Sequence, residues 1–289
     1  GSCDLAVLER CSRNGFVYRV GHSNSKWLCN SYCNVGLVEC DLISDRKQCA
    51  DRSFMETIGQ ACAAGVRCLQ IREKDLSPKA LYEFVCEIQK NLAGHQPTIL
   101  INDRVDIALA TSIDGVHIPE TGMPVDIARS SLPAGKLLGV SAHSLDRAIE
   151  AEALGADFIT FGPVFHTPSK ESYGNPVGLE ALKRVTSQTN IPVFALGGVK
   201  PENTTQCLDA GAHGIVVPMV NSVEDAKKAV AATRYAPKGQ RGVGIARAQR
   251  YGPGFEDYLH WQEDGPIVIV QIEQQAAVNH LEEIFAVPG

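Results

Sequence analysis

Residues 98–118 read TILINDRVDIALATSIDGVHI, and this stretch decides the fold. The run 98–102 is short, apolar and rich in β-branched residues, as a buried strand requires. The stretch 104–111 carries its apolar residues at helical spacing. Gly115 then opens a second short apolar run, 115–118. A strand, a helix and a strand in such close succession predict one βαβ unit with parallel strands and a right-handed crossover.

Working outward, the same alternation recurs from residue 37 onward. The remaining strands are expected at 38–44, 67–73, 137–142, 158–165, 192–198 and 214–220. Helices are expected near 53–64, 78–92, 124–131, 145–153, 179–188, 201–209 and 223–233. Eight such units in about 200 residues is the count that closes a barrel. A doubly wound open sheet is the competing arrangement, but no GxGxxG turn follows the first strand. The expected fold is therefore α/β, a (β/α)8 TIM barrel over 37–236, with an unassigned N-terminal extension at 1–36 and an appended segment at 237–289. That segment predicts one strand at 267–272 and an amphipathic stretch near 275–285. With eight strands already placed, the extra strand is expected to pack outside or displace another. An exposed apolar strand would favour a homo-oligomer.

Composition narrows the function. The chain has 289 residues, 44% of them hydrophobic, enough to bury a large core. A formal net charge of -6 and the lack of a basic stripe argue against nucleic acid as the partner. No apolar run reaches the ~20 residues that span a bilayer, and no secretory signal is expected at the N-terminus. Nine of the ten cysteines fall in the first third of the chain, with Cys29 and Cys33 close to His22. A metal site there lacks a second Cys or His pair, so free thiols in a reducing cytoplasm are the expectation.

In a barrel the chemistry sits at the C-terminal ends of the strands. Strand 2 ends in Gln70, Arg72 and Lys74 on one face, an amide and two cations that suit a pyrophosphate; ion pairing to neighbouring acids is the alternative. Strand 3 ends in Asn102 and Asp103. Asp103 is placed either to bind Mg²⁺ or to cap the helix beginning at Arg104. Strand 5 ends in Ser141 and His143, and Ser144 is placed to cap the next helix. His143 is either a proton-transfer group or a rim hydrogen-bond partner. Beyond strand 6, Thr167 and Lys170 add a hydroxyl and a cation, and strand 7 ends in Gly197 and Gly198, whose backbone N–H groups can approach an anion.

The strings LQIREKDLS, ILINDRVDIAL, DGVHIPE, GVSAHS, GADFITFGPVFHTPSK and PVFALGGV, in this order, resemble the thiamine phosphate synthase superfamily over about residues 40 to 217. That superfamily contains the synthase, which joins hydroxymethylpyrimidine pyrophosphate to thiazole phosphate with release of pyrophosphate, and a thiazole tautomerase. The resemblance implies that Gln70, Arg72 and Lys74 hold the pyrophosphate with help from Asn102 and Lys170. It implies Mg²⁺ at Asp103, a pocket lined by Ser141 and Thr167, and a thiazole phosphate at Gly197 and Gly198. Lys170, His143 and Ser141 are the candidate catalytic residues. The expected function is this transferase; a tautomerase, and a composite scaffold that binds phosphate with little or no catalysis, are the alternatives.

Two departures stand out. Gly122 falls where the synthase pattern places a second Mg²⁺-binding Asp, and the string PETGMP at 119–124 looks more like the tautomerase branch. Glu120 is the available substitute ligand. From about Ala210 onward, IVVPMVNSVEDAKKAVAATRYAPKGQRGVG, ARAQRYG and IVIVQIEQ resemble the HpcH/HpaI aldolase family, which implies a composite chain joined near Gly211. In that family the Glu matching Glu273 binds a divalent metal together with an Asp from a later strand that this sequence does not include, so aldolase activity is not expected. Pro218 falls on the expected strand 8 and removes an N–H from the phosphate end.

Overall fold

The computed structural model describes residues 41–44, 46–49, 53–167, 175–272, 277 and 279–288. The eight expected strands are all present: β1 (Asp41–Ile43), β2 (Cys68–Ile71), β3 (Thr98–Asn102), β4 (Gly115–Ile118), β5 (Leu137–Ala142), β6 (Phe158–Phe161), β7 (Val193–Ala195) and β8 (Gly214–Val217). They alternate with α1 (Phe54–Ala64), α2 (Pro78–Asn91), α3 (Val105–Thr111), α4 (Val125–Ser131), α5 (Leu145–Ala153), α6 (Gly178–Gln188), α7 (Pro201–Asp209) and α8 (Val223–Thr233). Strands β6, β7 and β8 are shorter than expected because glycine or proline follows closely on each, at Gly162-Pro163, Gly197-Gly198 and Pro218. Pro218 accordingly lies just beyond β8 rather than on it.

Ser53, Ser77, Ser144 and Ser222 each accept a backbone N–H at a helix start, which fixes where α1, α2, α5 and α8 begin. Asp103 does not cap α3. Arg104 occupies that position and its guanidinium pairs with Asp106 instead. Asp103 sits one residue earlier, in left-handed backbone at φ 63.

A ninth strand enters the sheet. β9 (Ile267–Val270) pairs in parallel with β8, Ile269 opposite Val216, and its far side meets β1. The result is a nearly closed nine-stranded parallel barrel in the order β1 to β9. Inward-facing Cys68, Leu100, Leu137, Phe158, Phe194, Val216 and Ile269 fill its interior, and the alternate residues of each strand pack outward against the helices. Val268, Ile269 and Val270 are buried within the barrel, and Ile267 is half-buried.

A helix that the sequence pattern did not reveal, α9 (Phe255–Asp264), precedes β9, and α10 (Leu281–Phe285) packs against α1. Phe255, Tyr258 and Trp261 stand three residues apart and were the available signal for α9. The connecting segment is clamped by Arg241. Its fully buried guanidinium lies over Tyr235 and Tyr258 at 4.8 and 5.4 Å and donates to Asp209 Oδ1 at 2.6 Å.

Candidate active site

The C-terminal mouth of the barrel gathers residues from β2 to β7. At the end of β2 the acids and the cations separate. Glu73 is buried and accepts from Ser44 Oγ at 2.8 Å and from Arg46 Nη1 at 2.9 Å. Asp75 pairs with both guanidinium nitrogens of Arg46 at 2.7 Å, and with Lys47 at 3.1 Å. Arg46, and then Lys47, hold the Asp75 carboxyl well below the usual carboxylate range. With Glu73 and Asp75 committed to the segment after β1, Arg72 and Lys74 form no ion pair among the described residues, and both are exposed. Among the described residues, the ion-paired alternative for these two cations is not adopted.

Below them a polar chain crosses the barrel. Gln70 Nε2 donates to His117 Nδ1 at 3.2 Å, which leaves the ring proton on Nε2, facing Thr160 Oγ1 at 3.2 Å. Thr160 Oγ1 lies 3.2 Å from Ser141 Oγ. The His117 ring stacks on Phe158, with centroids 5.8 Å apart. Burial, and secondarily the nearby charge of Arg72, push the His117 pKa down to about 4. The chain holds the amide of Gln70 and the hydroxyl of Ser141 under the cations. His117 and Thr160 were not among the candidate residues. Their inward parity in β4 and β6 was the only signal for them.

A neutral buried histidine has a stability consequence. Its ordinary pKa is 6.5, so the contribution is complete above pH 6.5 and is lost as pH falls from 6.5 toward 4. The full loss would approach about 3 kcal/mol. Urea unfolding at pH 7.5 and 4.5 should therefore show a steeper loss of stability for the wild type than for His117→Asn. Equal losses in both proteins would contradict the buried neutral assignment.

Asp103, at the exit of β3, is exposed, and its carboxylate has no hydrogen-bond or ion-pair partner among the described residues. Its backbone N–H is tied to His117 O at 3.0 Å, so the left-handed turn aims it from a fixed point. Gly122 lies against it: a Cβ there would stand 2.5 Å from Asp103 Oδ1 and 2.8 Å from Ile118 Cγ2. Glu120, the available substitute acid, faces His143. Its Oε2 lies 3.2 Å from His143 Nε2, and His143 Nδ1 meets the Gly162 carbonyl. Thr167 is half-buried on the loop after β6. Lys170 lies outside the described residues, as do Glu273, His22, Cys29 and Cys33.

On the far side of the mouth, Gly197 and Gly198 take φ of 90 and 66. A Cβ at Gly198 would stand 2.6 Å from His166 O, so only glycine fits between β7 and α7. The Gly198 N–H donates to no group among the described residues, and Asn203 Nδ2 holds the Gly198 carbonyl at 3.0 Å. Cys62, Cys68, Cys86 and Cys207 form no disulfide, and burial pushes the Cys62 and Cys207 thiols up to about 11 and about 12.

A family model described as thiamine monophosphate synthase matches residues 40–219. The chain belongs to the thiamine monophosphate synthase family. A Geobacter sulfurreducens relative is 49% identical over 176 residues, spanning 61% of this chain and 83% of that protein. The thiamine-phosphate synthase of Clostridium novyi is 40% identical over 176 residues, 61% of this chain and 86% of that one. A thiamine phosphate pyrophosphorylase from Pyrococcus furiosus superposes with a TM-score of 0.54 at 26% identity, covering 79% of this chain and 98% of that chain. A second model, HpcH/HpaI aldolase/citrate lyase, matches residues 178–289. It begins inside the synthase match, upstream of the junction expected near Gly211, and takes in β7, β8 and the whole C-terminal segment.

Proposed function

We propose that this family member is a thiamine phosphate synthase, a transferase that joins hydroxymethylpyrimidine pyrophosphate to thiazole phosphate and releases pyrophosphate. The observation that carries the reading is the pair of exposed cations, Arg72 and Lys74, and the carboxylate of Asp103 at the exit of the adjacent strand, all three without an ion-pair partner among the described residues. Breaking the C–O bond to pyrophosphate leaves its electron pair on the leaving group and a stabilised pyrimidinylmethyl cation, which the thiazole ring nitrogen then captures. Arg72 and Lys74 stabilise the developing negative charge, and Asn102 adds a hydrogen-bond donor. Gln70, held by the His117–Thr160 chain, helps to hold the pyrophosphate, and Ser141 lines the pyrimidine pocket. Gly198 offers its N–H to the thiazole phosphate and so places the nucleophile in line. Lys170 adds a further cation for the pyrophosphate, and Thr167 lines its pocket. His143, held by Gly162 and Glu120, is a wall of the pocket able to pass a proton.

The residues present fit Mg²⁺ shared with substrate oxygens, rather than a site built from protein alone. Asp103 supplies one carboxylate, Gly122 supplies none, and no cluster of three or more potential ligands occurs among the described residues. Bound there, Mg²⁺ would neutralise charge on the pyrophosphate. We further propose that the chain is a composite, in which the aldolase-like C-terminal part supplies β9. Its partners are small phosphorylated molecules rather than nucleic acid or membrane, in a cytoplasmic setting. No helix among the described residues is long and apolar enough to cross a membrane.

Replacing Arg72 and Lys74 singly by Ala should each lower kcat/KM by about 100-fold, from the loss of a charge-assisted contact in the transition state. Inhibition by added pyrophosphate should weaken in parallel. Steady-state kinetics with unchanged pyrophosphate inhibition in both variants would place the leaving group elsewhere.

A further inference from the structure

The floor of the barrel, opposite the synthase mouth, contains a cavity of about 580 Å³ that the reaction does not use. It is lined by residues that precede β7 and β8, including Thr189 and His213, and by the C-terminal segment through Arg247, Arg250, Tyr251 and Trp261. Its size lies within the range of small-molecule sites.

Its chemistry is specific. The Arg247 guanidinium is half-buried and reaches the Thr186 carbonyl through Nη2, yet it pairs with no carboxylate among the described residues. Its Nε–H is buried with no acceptor. Burial, together with the neighbouring Arg250, lowers its pKa, which is the cost of an uncompensated cation in this position. Arg250 and Tyr251 take φ of 53 and 56, two successive non-glycine residues in left-handed backbone. Arg250 caps the short helix Arg247–Gln249, and two such residues in succession persist only where the surrounding structure fixes them. Lys183 Nζ lies 5.8 Å from the centre of the Tyr251 ring, adding a third positive charge beside the cavity against Asp257 in its wall. His213 Nδ1 accepts the Val193 N–H at 3.2 Å, so its other ring nitrogen carries the proton of the neutral ring.

We infer that this floor cavity binds a small anion carried on a planar ring. Arg247 and Arg250 hold the phosphate or carboxylate, and Tyr251 and Trp261 hold the ring. The inference is independent of the synthase reading, because no residue assigned to that reaction lines the cavity.

The test uses the full chain with Trp27→Phe, which leaves Trp261 as the sole tryptophan. Phenyl phosphate is titrated while Trp261 emission is followed, with phenol as the neutral-ring control. A saturable change is expected with phenyl phosphate and not with phenol. Arg250→Ala and Arg247→Met should each weaken it by about tenfold or more, the worth of one charge-assisted hydrogen bond, and Arg72→Ala at the opposite mouth should leave it unchanged. Circular dichroism checks that each variant is folded. Should Arg247→Met not fold, the exposed Arg250→Ala decides. No saturable change, equal binding of phenol, binding that survives the arginine substitutions, or binding lost in Arg72→Ala would each overturn the inference.

Discussion

Asp103→Asn is expected to lower kcat/KM for thiamine phosphate formation by about 10²–10³-fold while leaving the fold intact. Asparagine accepts left-handed backbone almost as readily as aspartate, so the φ of 63 is preserved without the strain that alanine would add. The Asp103 N–H to His117 O bond is a backbone contact and survives the change. Only the negative charge is removed, and with it the exposed carboxylate that the proposed reaction assigns to Mg²⁺. Thermal unfolding of the variant should match that of the wild type, and raising Mg²⁺ should recover little activity. A variant with near wild-type kcat/KM would mean that metal and pyrophosphate sit away from β3. Gly122 makes this residue more decisive, because it supplies no second acid beside Asp103, and Glu120 faces His143.

Ile269→Ala should cost about 2–5 kcal/mol of stability in urea unfolding, the usual range for emptying a filled core position. Ile269 is only 5% exposed and packs with Phe158, Phe194 and Val216 inside the barrel. The C-terminal segment is then part of the barrel core and not an accessory. Val243→Ala, on the exposed connecting segment, should change stability by less than about 0.5 kcal/mol. A cost below about 1 kcal/mol for Ile269→Ala would place β9 outside the cooperative core.

The βαβ alternation was legible because each strand is buried on both faces and each helix on one, so the period of the pattern changes at every boundary. Residues 98–118 already carry the full unit. The position of β9 was not legible. A run such as IVIV at 267–270 states that a strand is buried, while its place between β8 and β1 depends on where the intervening segment is anchored. Arg241, closed over Tyr235 and Tyr258, fixes that anchor through contacts distant in sequence. At the site, parity within the strands brought Gln70, Arg72 and Lys74 together. Which cations remain uncommitted was set by Arg46 and Lys47, from a segment whose sequence gave no hint of pairing with Glu73 and Asp75. Asp103 was legible as a strand-exit acid. Its separation from the cap of α3 follows from a left-handed turn that sequence alone does not reveal at an aspartate.

The most direct test of the synthase assignment is an endpoint assay of the purified full chain with hydroxymethylpyrimidine pyrophosphate, thiazole phosphate and Mg²⁺. Thiamine phosphate is read by fluorescence after oxidation, with Asp103→Asn run beside it. Product that requires both substrates and falls to near background in the variant is expected. A folded wild-type sample that forms no thiamine phosphate would contradict the assignment.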